Sequence, residues 1–355
     1  MPPSESHDQR RHRKLFTFPM IDQASLSFLV AVIFFALVFE VSNGFNDAAN
    51  AIATVVSTRV MSPLTAVLMA AAMNFIGAIS GTAVAKAVGK GVVDPEAVTL
   101  VTVAGGVLAA AIWVFSASKL GLPVSGSHSL ISGVAGAGIA HGGWSVLQSA
   151  GIRKILMGLS FSPILGFLFG FVCMLAIYWG FRKATPTLVT NIFSRLQVLT
   201  AAAMAFSHGS NDAQKTMGII TLALAVHYEW AARGIPFEIP LWVILVSGTV
   251  MGFGTYLGGR KVIRTLGVRI VKMRPPHGFA AEIAAASVIE MASRTGVPVS
   301  TTHVITSSIL GMGSTRRLSA VRWGVAEEIV MAWFLTFPVV GLLGACLYWV
   351  LSLFT

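Results

Sequence analysis

The stretch GFNDAAN at residues 44–50 decides how this chain is interpreted, and it returns in altered form as GSNDAQK at residues 209–215. Each copy of the pattern Gly-x-Asn-Asp-Ala places an Asn-Asp pair within a long apolar run, where an ionisable side chain is costly and usually functional. Glycine, asparagine and aspartate are also weak helix formers. We therefore expect each stretch to be an unwound break in a membrane-spanning helix, lining a cavity or buried in protein.

The composition is typical of a polytopic membrane protein. Of the 355 residues, 55% are hydrophobic and 11% are charged, whereas a soluble domain carries about 25% charged residues. Two shorter apolar stretches, 121–140 and 296–313, lie among runs of about 20 residues or more, the length needed to cross a bilayer. These eight long runs occupy roughly residues 24–57, 62–85, 97–118, 154–181, 194–226, 240–258, 278–295 and 325–353. We predict an all-α polytopic protein of the inner (plasma) membrane, surrounded by the lipid bilayer.

The basic balance of the chain does not indicate a nucleic-acid partner. The net charge is +11, but the cations cluster beside the apolar runs, at residues 10–14, 182–183, 260–274 and 316–322. Basic loops beside membrane segments follow the positive-inside rule and suit anionic headgroups. We therefore expect no nucleic acid among the partners, and the sequence leaves homo-oligomerisation open.

The chain also contains an internal duplication. The segment LPVSGSH at residues 122–128 returns as VPVSTTH at residues 297–303, and Ser162-Pro163 has its counterpart 175 positions later in Phe337-Pro338. Internal repeats are typical of secondary transporters. Within a single membrane domain we assign residues 1–23 to a polar basic N-terminal stub, 24–181 to repeat 1, 182–193 to a linker and 194–355 to repeat 2.

The Pro-Val-Ser segments predict two re-entrant helical hairpins. Pro123 and Pro298 interrupt a helix, and the serines that follow are favourable N-cap residues, so a second half-helix would begin at Ser125 or Ser300. The free N–H groups of a helix N-terminus favour an anion. A plain proline turn between helices is the alternative. The side chains available to an anion at the two tips are those of Ser125, Ser127, Ser300, Thr301 and Thr302, and Gly126 would allow close backbone approach.

The Asn-Asp stretches predict the site of a coupling ion. Carboxylate and amide oxygens suit a hard cation, so Asp47 and Asp212 are candidate sodium ligands, with Asn43 and Asn50 beside the first. Hydrogen bonding between two buried polar pairs is the alternative. Lys215 takes in the second copy the place of Asn50, where its ammonium can stand in for a bound cation near Asp212.

Two acidic residues precede the second hairpin. Glu282 and Glu290 lie on the apolar run that leads to it. Each is a candidate proton carrier, or else a paired structural acid, and the sequence does not decide between these roles.

The paired Asn-Asp and Pro-Val-Ser motifs, in this order and in duplicate, closely resemble the PiT family of inorganic phosphate transporters. The Asn-Asp-Ala-Gln-Lys of the second copy is similar to the bacterial low-affinity branch. The resemblance implies inverted repeats with broken helices and symport of phosphate with sodium or protons. It also implies that Asn46, Asp47, Asn211 and Asp212 bind ion and substrate, and that residues 125–127 and 300–302 are hairpin tips at the phosphate.

Three other functions fit parts of the sequence. Sulfate transport on the same scaffold is the main alternative, and a passive anion channel is the second. The third is an intramembrane aspartyl protease, whose dyad needs two carboxylates sharing a proton. That enzyme would leave the hydroxyl residues of the hairpins without a role, so we expect a transporter that needs no cofactor other than, at most, sodium ions.

Overall fold

The computed structural model describes residues 26–258 and 260–355. The predicted N-terminal stub, residues 1–23, and the basic cluster at residues 10–14 lie outside the described residues. Within the described part, the elements are helices, and no strand is formed. The helices are α1 Leu26–Ser57, α2 Pro63–Ala78, α3 Ala83–Gly91, α4 Leu100–Leu120, α5 Gly126–Gly142, α6 Ser149–Gly180, α7 Pro186–His227, α8 Leu241–Leu257, α9 Arg260–Arg264, α10 Pro275–Arg294, α11 Thr301–Ser314 and α12 Trp323–Ser352.

Five of these helices are long and apolar enough to cross a membrane: α1, α4, α6, α7 and α12. Two bent pairs raise the number to seven if each is one span: α2 with α3, bent by 72°, and α8 with Lys261–Arg269, bent by 68°. Large apolar side chains face outward on the long helices, for example Leu168, which is 51% exposed, and Phe334, which is 72% exposed. These features confirm a multi-pass membrane protein.

The eighth predicted span, residues 278–295, differs from the other seven. It forms helix α10, which does not reach the hydropathy of a membrane span among the described helices. Glu282, Glu290 and Arg294 lower its mean hydropathy. This helix is the first arm of the second hairpin and lies against α6 and α7, so protein rather than lipid covers much of it.

The predicted breaks at the Asn-Asp stretches are wrong, because α1 and α7 are continuous through residues 44–50 and 209–215. The Asn and Asp side chains bond mainly to other helices and to the hairpin tips, so they do not compete for the backbone hydrogen bonds of their own helix. The glycines serve close packing: a Cβ at Gly209 would lie 2.1 Å from the carbonyl oxygen of Asn74, and one at Gly44 would lie 2.8 Å from that of Met251. Broken helices do occur, but at the two bent pairs.

Two helical hairpins form where they were predicted. Helices α4 and α5 are joined by residues 121–125, and α10 and α11 by residues 295–300, with most of both turns buried. Ser125 is the N-cap of α5 and accepts a hydrogen bond from the backbone N–H of His128 at 3.1 Å. Ser300 caps α11 in the same way, through His303 at 3.3 Å. The two tips therefore end in matching helix N-termini inside the protein.

The same order of elements occurs in both halves of the described chain. Each half has a long helix with an Asn-Asp pair, a bent pair, a hairpin, and a long helix with an internal proline, Pro163 in α6 and Pro338 in α12. The inverted orientation of the repeats remains a prediction. So do their boundaries, with repeat 1 ending at residue 181, a linker at 182–193 and repeat 2 beginning at residue 194.

Candidate functional site

The hairpin tips and the Asn-Asp stretches meet in one buried polar cluster. The turns of both hairpins lie against the middle of α1 and of α7, and every member of the cluster is at most 2% exposed. Polar groups buried in this way must find partners within the protein. The cluster consists of Asn43, Asn46, Asp47, Asn50, Ser125, Ser127, His208, Asn211, Asp212, Lys215, Ser300, Thr301 and Thr302.

Asp47 is held by its own neighbour and by the second hairpin. Its Oδ1 accepts hydrogen bonds from Asn46 Nδ2 and from Thr302 Oγ1, both at 2.9 Å. Thr302 lies 255 positions along the chain from Asp47. The carboxyl group of the first half is therefore positioned by the hairpin of the second half. Its other oxygen, Oδ2, has no hydrogen-bond partner among the described residues.

Asp212 forms the tightest ionic contact of the cluster. Lys215 Nζ lies 2.5 Å from its Oδ1, one helical turn further along α7. Its Oδ2 accepts from Thr301 Oγ1 at 3.1 Å and from Asn43 Nδ2 at 3.4 Å. The expected pairing of Lys215 with Asp212 is thus present, and Asp212 contacts both α1 and the second hairpin.

Lys215 also reaches both hairpin tips. Its ammonium donates to Ser127 Oγ at 2.5 Å and to the carbonyl oxygen of Val299 at 2.8 Å. Together with Asp212 these are three acceptors for the three donors of an ammonium group. A fixed cation therefore stands between the two tips, with its hydrogen-bonding capacity filled.

Contacts across the two hairpins are reciprocal. Thr302 Oγ1 of the second hairpin donates to the carbonyl oxygen of Val124 at 3.3 Å, and Ser127 Oγ of the first donates to that of Val299 at 2.9 Å. The two donors, Ser127 and Thr302, are 175 residues apart, and so are the two acceptors, Val124 and Val299. The two tips are therefore tied to each other directly, which no pattern in the sequence indicated.

The two asparagines preceding the aspartates are also equivalently placed. Asn46 accepts from Ser118 Oγ and Asn211 donates to Ser293 Oγ, each at 3.0 Å, and Ser118 and Ser293 are again 175 positions apart. Asn46 Nδ2 further donates to the carbonyl oxygen of Val124 at 2.9 Å. Each asparagine therefore joins a long helix to the first arm of a hairpin.

Two further predicted residues belong to the same cluster. Asn50 Nδ2 donates to Thr302 Oγ1 at 3.1 Å and lies 3.4 Å from Thr301 Oγ1. Gly126 packs against Asn43, and a Cβ on Gly126 would lie 1.8 Å from Asn43 Oδ1. The close approach expected at Gly126 is thus filled by a side chain of α1 in this conformation.

His208, which no motif in the sequence indicated, lies between the two aspartates. Its Nε2 is 3.5 Å from Asp212 Oδ2 and 3.7 Å from Asp47 Oδ2. The histidine is fully buried on α7, one turn before Asp212. Its spacing from Asp212 was visible in the sequence, but its approach to Asp47 depends on how α1 and α7 pack.

The hydrogen bonds behind His208 determine which ring nitrogen faces the carboxylates. Thr255 Oγ1 donates to the carbonyl oxygen of Met251 and accepts from Asn74 Nδ2 at 2.8 Å, so Asn74 Oδ1 remains to accept from His208 Nδ1 at 2.9 Å. The proton is therefore on Nδ1. A neutral ring would turn the lone pair of Nε2 toward two carboxylate oxygens. That arrangement calls for a proton on Nε2 or for a cation between these three groups.

Glu282 is part of a separate polar group. It is fully buried and accepts hydrogen bonds from Thr54, from Thr200 Oγ1 at 2.5 Å and from Gln197 Nε2 at 3.2 Å. These partners belong to α1 and α7, so the carboxyl group ties the second hairpin to both long helices. Three donors therefore fix the position of the Glu282 carboxyl group between the two long helices.

Glu290 lies at the edge of the polar cluster. Its side chain is 25% exposed and pairs with Arg294 at 2.8 Å. It also accepts from Ser210 Oγ at 3.2 Å, next to Asn211. The two glutamates therefore differ in burial and in their partners, although the sequence did not distinguish them.

Glu40 is a further buried acid that no motif in the sequence indicated. It lies on α1 two turns before Asp47, is fully buried, and accepts from the hydroxyl group of Thr216 on α7. Its Oε1 has no partner within the described part of the chain. The sequence does carry a signal for this residue, because an acidic side chain within a long apolar run is unusual.

The sequence of the chain matches a known protein family. A family model described as PHO4, phosphate transporter family, matches residues 43–344. The chain belongs to this family. The match includes both Asn-Asp stretches and both hairpins, and membership of the family sets the chain among transporters rather than enzymes, as expected.

Proteins that are similar to this chain are also described as phosphate transporters. A probable low-affinity inorganic phosphate transporter of Bacillus subtilis is 41% identical over 326 residues, which cover 91% of this chain and 97% of the relative. Another from Rhizobium meliloti is 41% identical over 333 residues, covering 93% and 99%. A solved structure described as the sodium-dependent phosphate transporter superposes with a TM-score of 0.82 at 27% identity, covering 92% of this chain and 100% of that chain.

Proposed function

We propose that this protein is a symporter that carries inorganic phosphate together with protons across the plasma membrane. The observation that carries the proposal is the meeting of both hairpin tips with both Asn-Asp pairs in one cluster that is closed to solvent. Similarity to low-affinity inorganic phosphate transporters of bacteria supports phosphate as the substrate. A transporter must close its site around the substrate between the two open states, and a buried site between two repeats suits that requirement.

The anion would be held by neutral donors, with the positive charge of Lys215 beside it. In the closed cluster the hydroxyl groups of Thr301 and Thr302 donate to Asp212 and Asp47. A phosphate oxygen accepts the same bonds, so the substrate competes with the two carboxylates for these hydroxyl groups. The amide groups of Asn46 and Asn211 and the N-termini of α5 and α11 supply further donors at the tips.

Charge balance favours protons as the coupling ion. Phosphate adds at least one negative charge to a cluster that already contains Asp47 and Asp212, and like charges repel strongly where water is excluded. Lys215 compensates Asp212 at 2.5 Å. A proton on His208 Nε2 would compensate Asp47, and protonation of Asp47 itself would release the hydroxyl group of Thr302 to the substrate.

Sodium is the competing coupling ion. The ligand atoms of Asp47, His208 and Asp212 lie within 4.8 Å of one another and can hold a cation. The solved structure with the same fold is described as sodium-dependent. Lys215, however, already supplies a positive charge at Asp212, so at most one cation is needed beside Asp47.

The substrate is tested by uptake of radiolabelled phosphate into proteoliposomes of the purified protein, with unlabelled phosphate or sulfate as competitor. We expect saturable uptake that excess phosphate suppresses and excess sulfate does not. Asp47→Asn, which keeps the shape of the side chain, is the control for background flux. Suppression by sulfate at equal concentration would show a sulfate carrier, and flux indifferent to any imposed ion gradient would show a channel; either result contradicts the proposal.

A further inference from the structure

A basic cavity of about 560 Å³ lies away from the polar cluster, where the linker between α6 and α7 meets the outer ends of the second hairpin. It adjoins a cavity of about 360 Å³ and shares part of its wall. Cavities of this size accommodate small ligands. The cationic side chains that line the two are Arg182, Arg274 and Arg316 in the first and Lys272, Arg316, Arg317 and Arg322 in the second.

These cations lack acidic partners. No carboxylate of a described residue lies within 4.0 Å of any of them, and no acidic side chain is among the described residues that line either cavity. Several like charges on one wall repel one another, and an anion between them removes that repulsion. Charge complementarity therefore indicates an anionic ligand.

The floor of the basic cavity is apolar. Met174, Ile177 and Phe181 of the α6 end and Val189 of α7 line it. The outer face of α6 beside it exposes Leu175 by 51% and Trp179 by 72%, so a lipid-facing surface leads directly to the cavity. This apolar floor offers no hydrogen bonds to a free inorganic anion, whereas an acyl chain can pack against it.

Two hydrogen bonds leave the Tyr178 hydroxyl group as a neutral donor in the wall of the cavity. The backbone N–H of Arg274 donates to His277 Nδ1 at 3.1 Å, so the ring proton is on Nε2, which lies 3.2 Å from the hydroxyl oxygen of Tyr178. The Tyr178 hydroxyl accepts from the ring and keeps its own proton to donate. Arginine forks and a hydroxyl donor suit the oxygens of a phosphate group.

We propose that the basic cavity binds the phosphate headgroup of an anionic phospholipid, whose acyl chain lies along the outer face of α6. The cations hold the headgroup, Tyr178 donates to it, and the apolar floor receives the first part of the chain. Because the cavity is formed by the linker together with the start of α10 and the residues after α11, the bound lipid joins the two halves of the protein at the outer ends of the second hairpin.

Native mass spectrometry of the detergent-purified full chain tests this binding without reference to transport. The probes are phosphatidylglycerol and phosphatidylcholine, each titrated separately, and inorganic phosphate, titrated into the protein with phosphatidylglycerol bound. The variant R182Q/R316Q removes two cations of the cavity. The matched control R59Q/R195Q removes two exposed arginines that lie outside the cavity lining. Thermal unfolding without lipid checks that both variants fold.

We expect the wild type and R59Q/R195Q to bind phosphatidylglycerol in preference to phosphatidylcholine. In R182Q/R316Q the affinity for phosphatidylglycerol should fall about fivefold for each arginine, roughly 25-fold in all. Equal binding of phosphatidylglycerol by the two double variants would overturn the proposal. So would inorganic phosphate that displaces the lipid at a similar concentration, because the site would then recognise the free anion alone.

Discussion

Lys215 and Asp212 form an ion pair of 2.5 Å in which both side chains are at most 2% exposed. Removing one partner of a buried pair leaves an uncompensated charge, which costs about 3–5 kcal/mol. The same pair also connects the hairpins, because the ammonium group donates to Ser127 and to Val299. The pair therefore stabilises the closed polar cluster as well as setting its charge.

The first prediction concerns this pair. Lys215→Asn should lower the free energy of unfolding by about 3–5 kcal/mol and abolish proton-driven uptake. The double variant Lys215→Asn with Asp212→Asn should recover much of the stability, because no lone charge remains, but no transport. Thermal unfolding in detergent and uptake in proteoliposomes measure the two effects. A double variant no more stable than Lys215→Asn alone would show that the two side chains are not coupled.

The second prediction concerns the two aspartates. Asp47→Asn and Asp212→Asn should each abolish coupled phosphate uptake while the protein remains inserted in the membrane, because the amide keeps the shape of the side chain and removes its charge. Uptake is measured in proteoliposomes, with size-exclusion elution as the check of folding. Uptake close to the wild-type rate in either variant would assign that aspartate a structural role.

The third prediction separates the hydroxyl group of Thr302 from its bulk. Thr302→Val, which removes the hydrogen bonds to Asp47 and Val124, should raise the phosphate concentration needed for half-maximal uptake roughly ten- to hundredfold, since a hydrogen bond to a charged group contributes about 1.5–3 kcal/mol. Thr302→Ser keeps the hydroxyl group and should behave nearly like the wild type. If both variants weaken phosphate equally, packing rather than hydrogen bonding is responsible.

The fourth prediction concerns His208. His208→Gln places its amide group where Nε2 lies, beside Asp47 and Asp212, but the amide cannot take up a proton there. We expect folded protein whose uptake no longer responds to an imposed pH gradient. His208→Asn places its amide group where Nδ1 lies and can still donate to Asn74, so it serves as a second variant for the loss of contact with the carboxylates alone. A wild-type response to the pH gradient in His208→Gln would remove the histidine from the coupling step.

Much of the architecture could be predicted from the sequence, because it depends on local chemistry. The apolar runs identified the long helices, and the Pro-Val-Ser segments identified the hairpins with Ser125 and Ser300 as N-caps. The duplicated motifs led to the family. The pairing of Lys215 with Asp212 followed from their spacing of three residues on one helix.

What the sequence did not reveal depends on contacts between distant segments. The glycines and asparagines of the Asn-Asp stretches suggested broken helices, but Gly209 allows close packing on α2, and Asn46 finds its partners on the first hairpin. His208 meets Asp47 only because α1 and α7 pack together. Glu282 and Glu290 lie on the same helix, and only their tertiary neighbours distinguish them.

The coupling of phosphate transport to protons is best tested by uptake into sodium-free proteoliposomes with an imposed pH gradient. We expect phosphate to accumulate when the outside is acidic, accumulation to collapse when a protonophore is added, and added sodium to change little. Uptake that requires sodium and ignores the pH gradient would contradict this coupling.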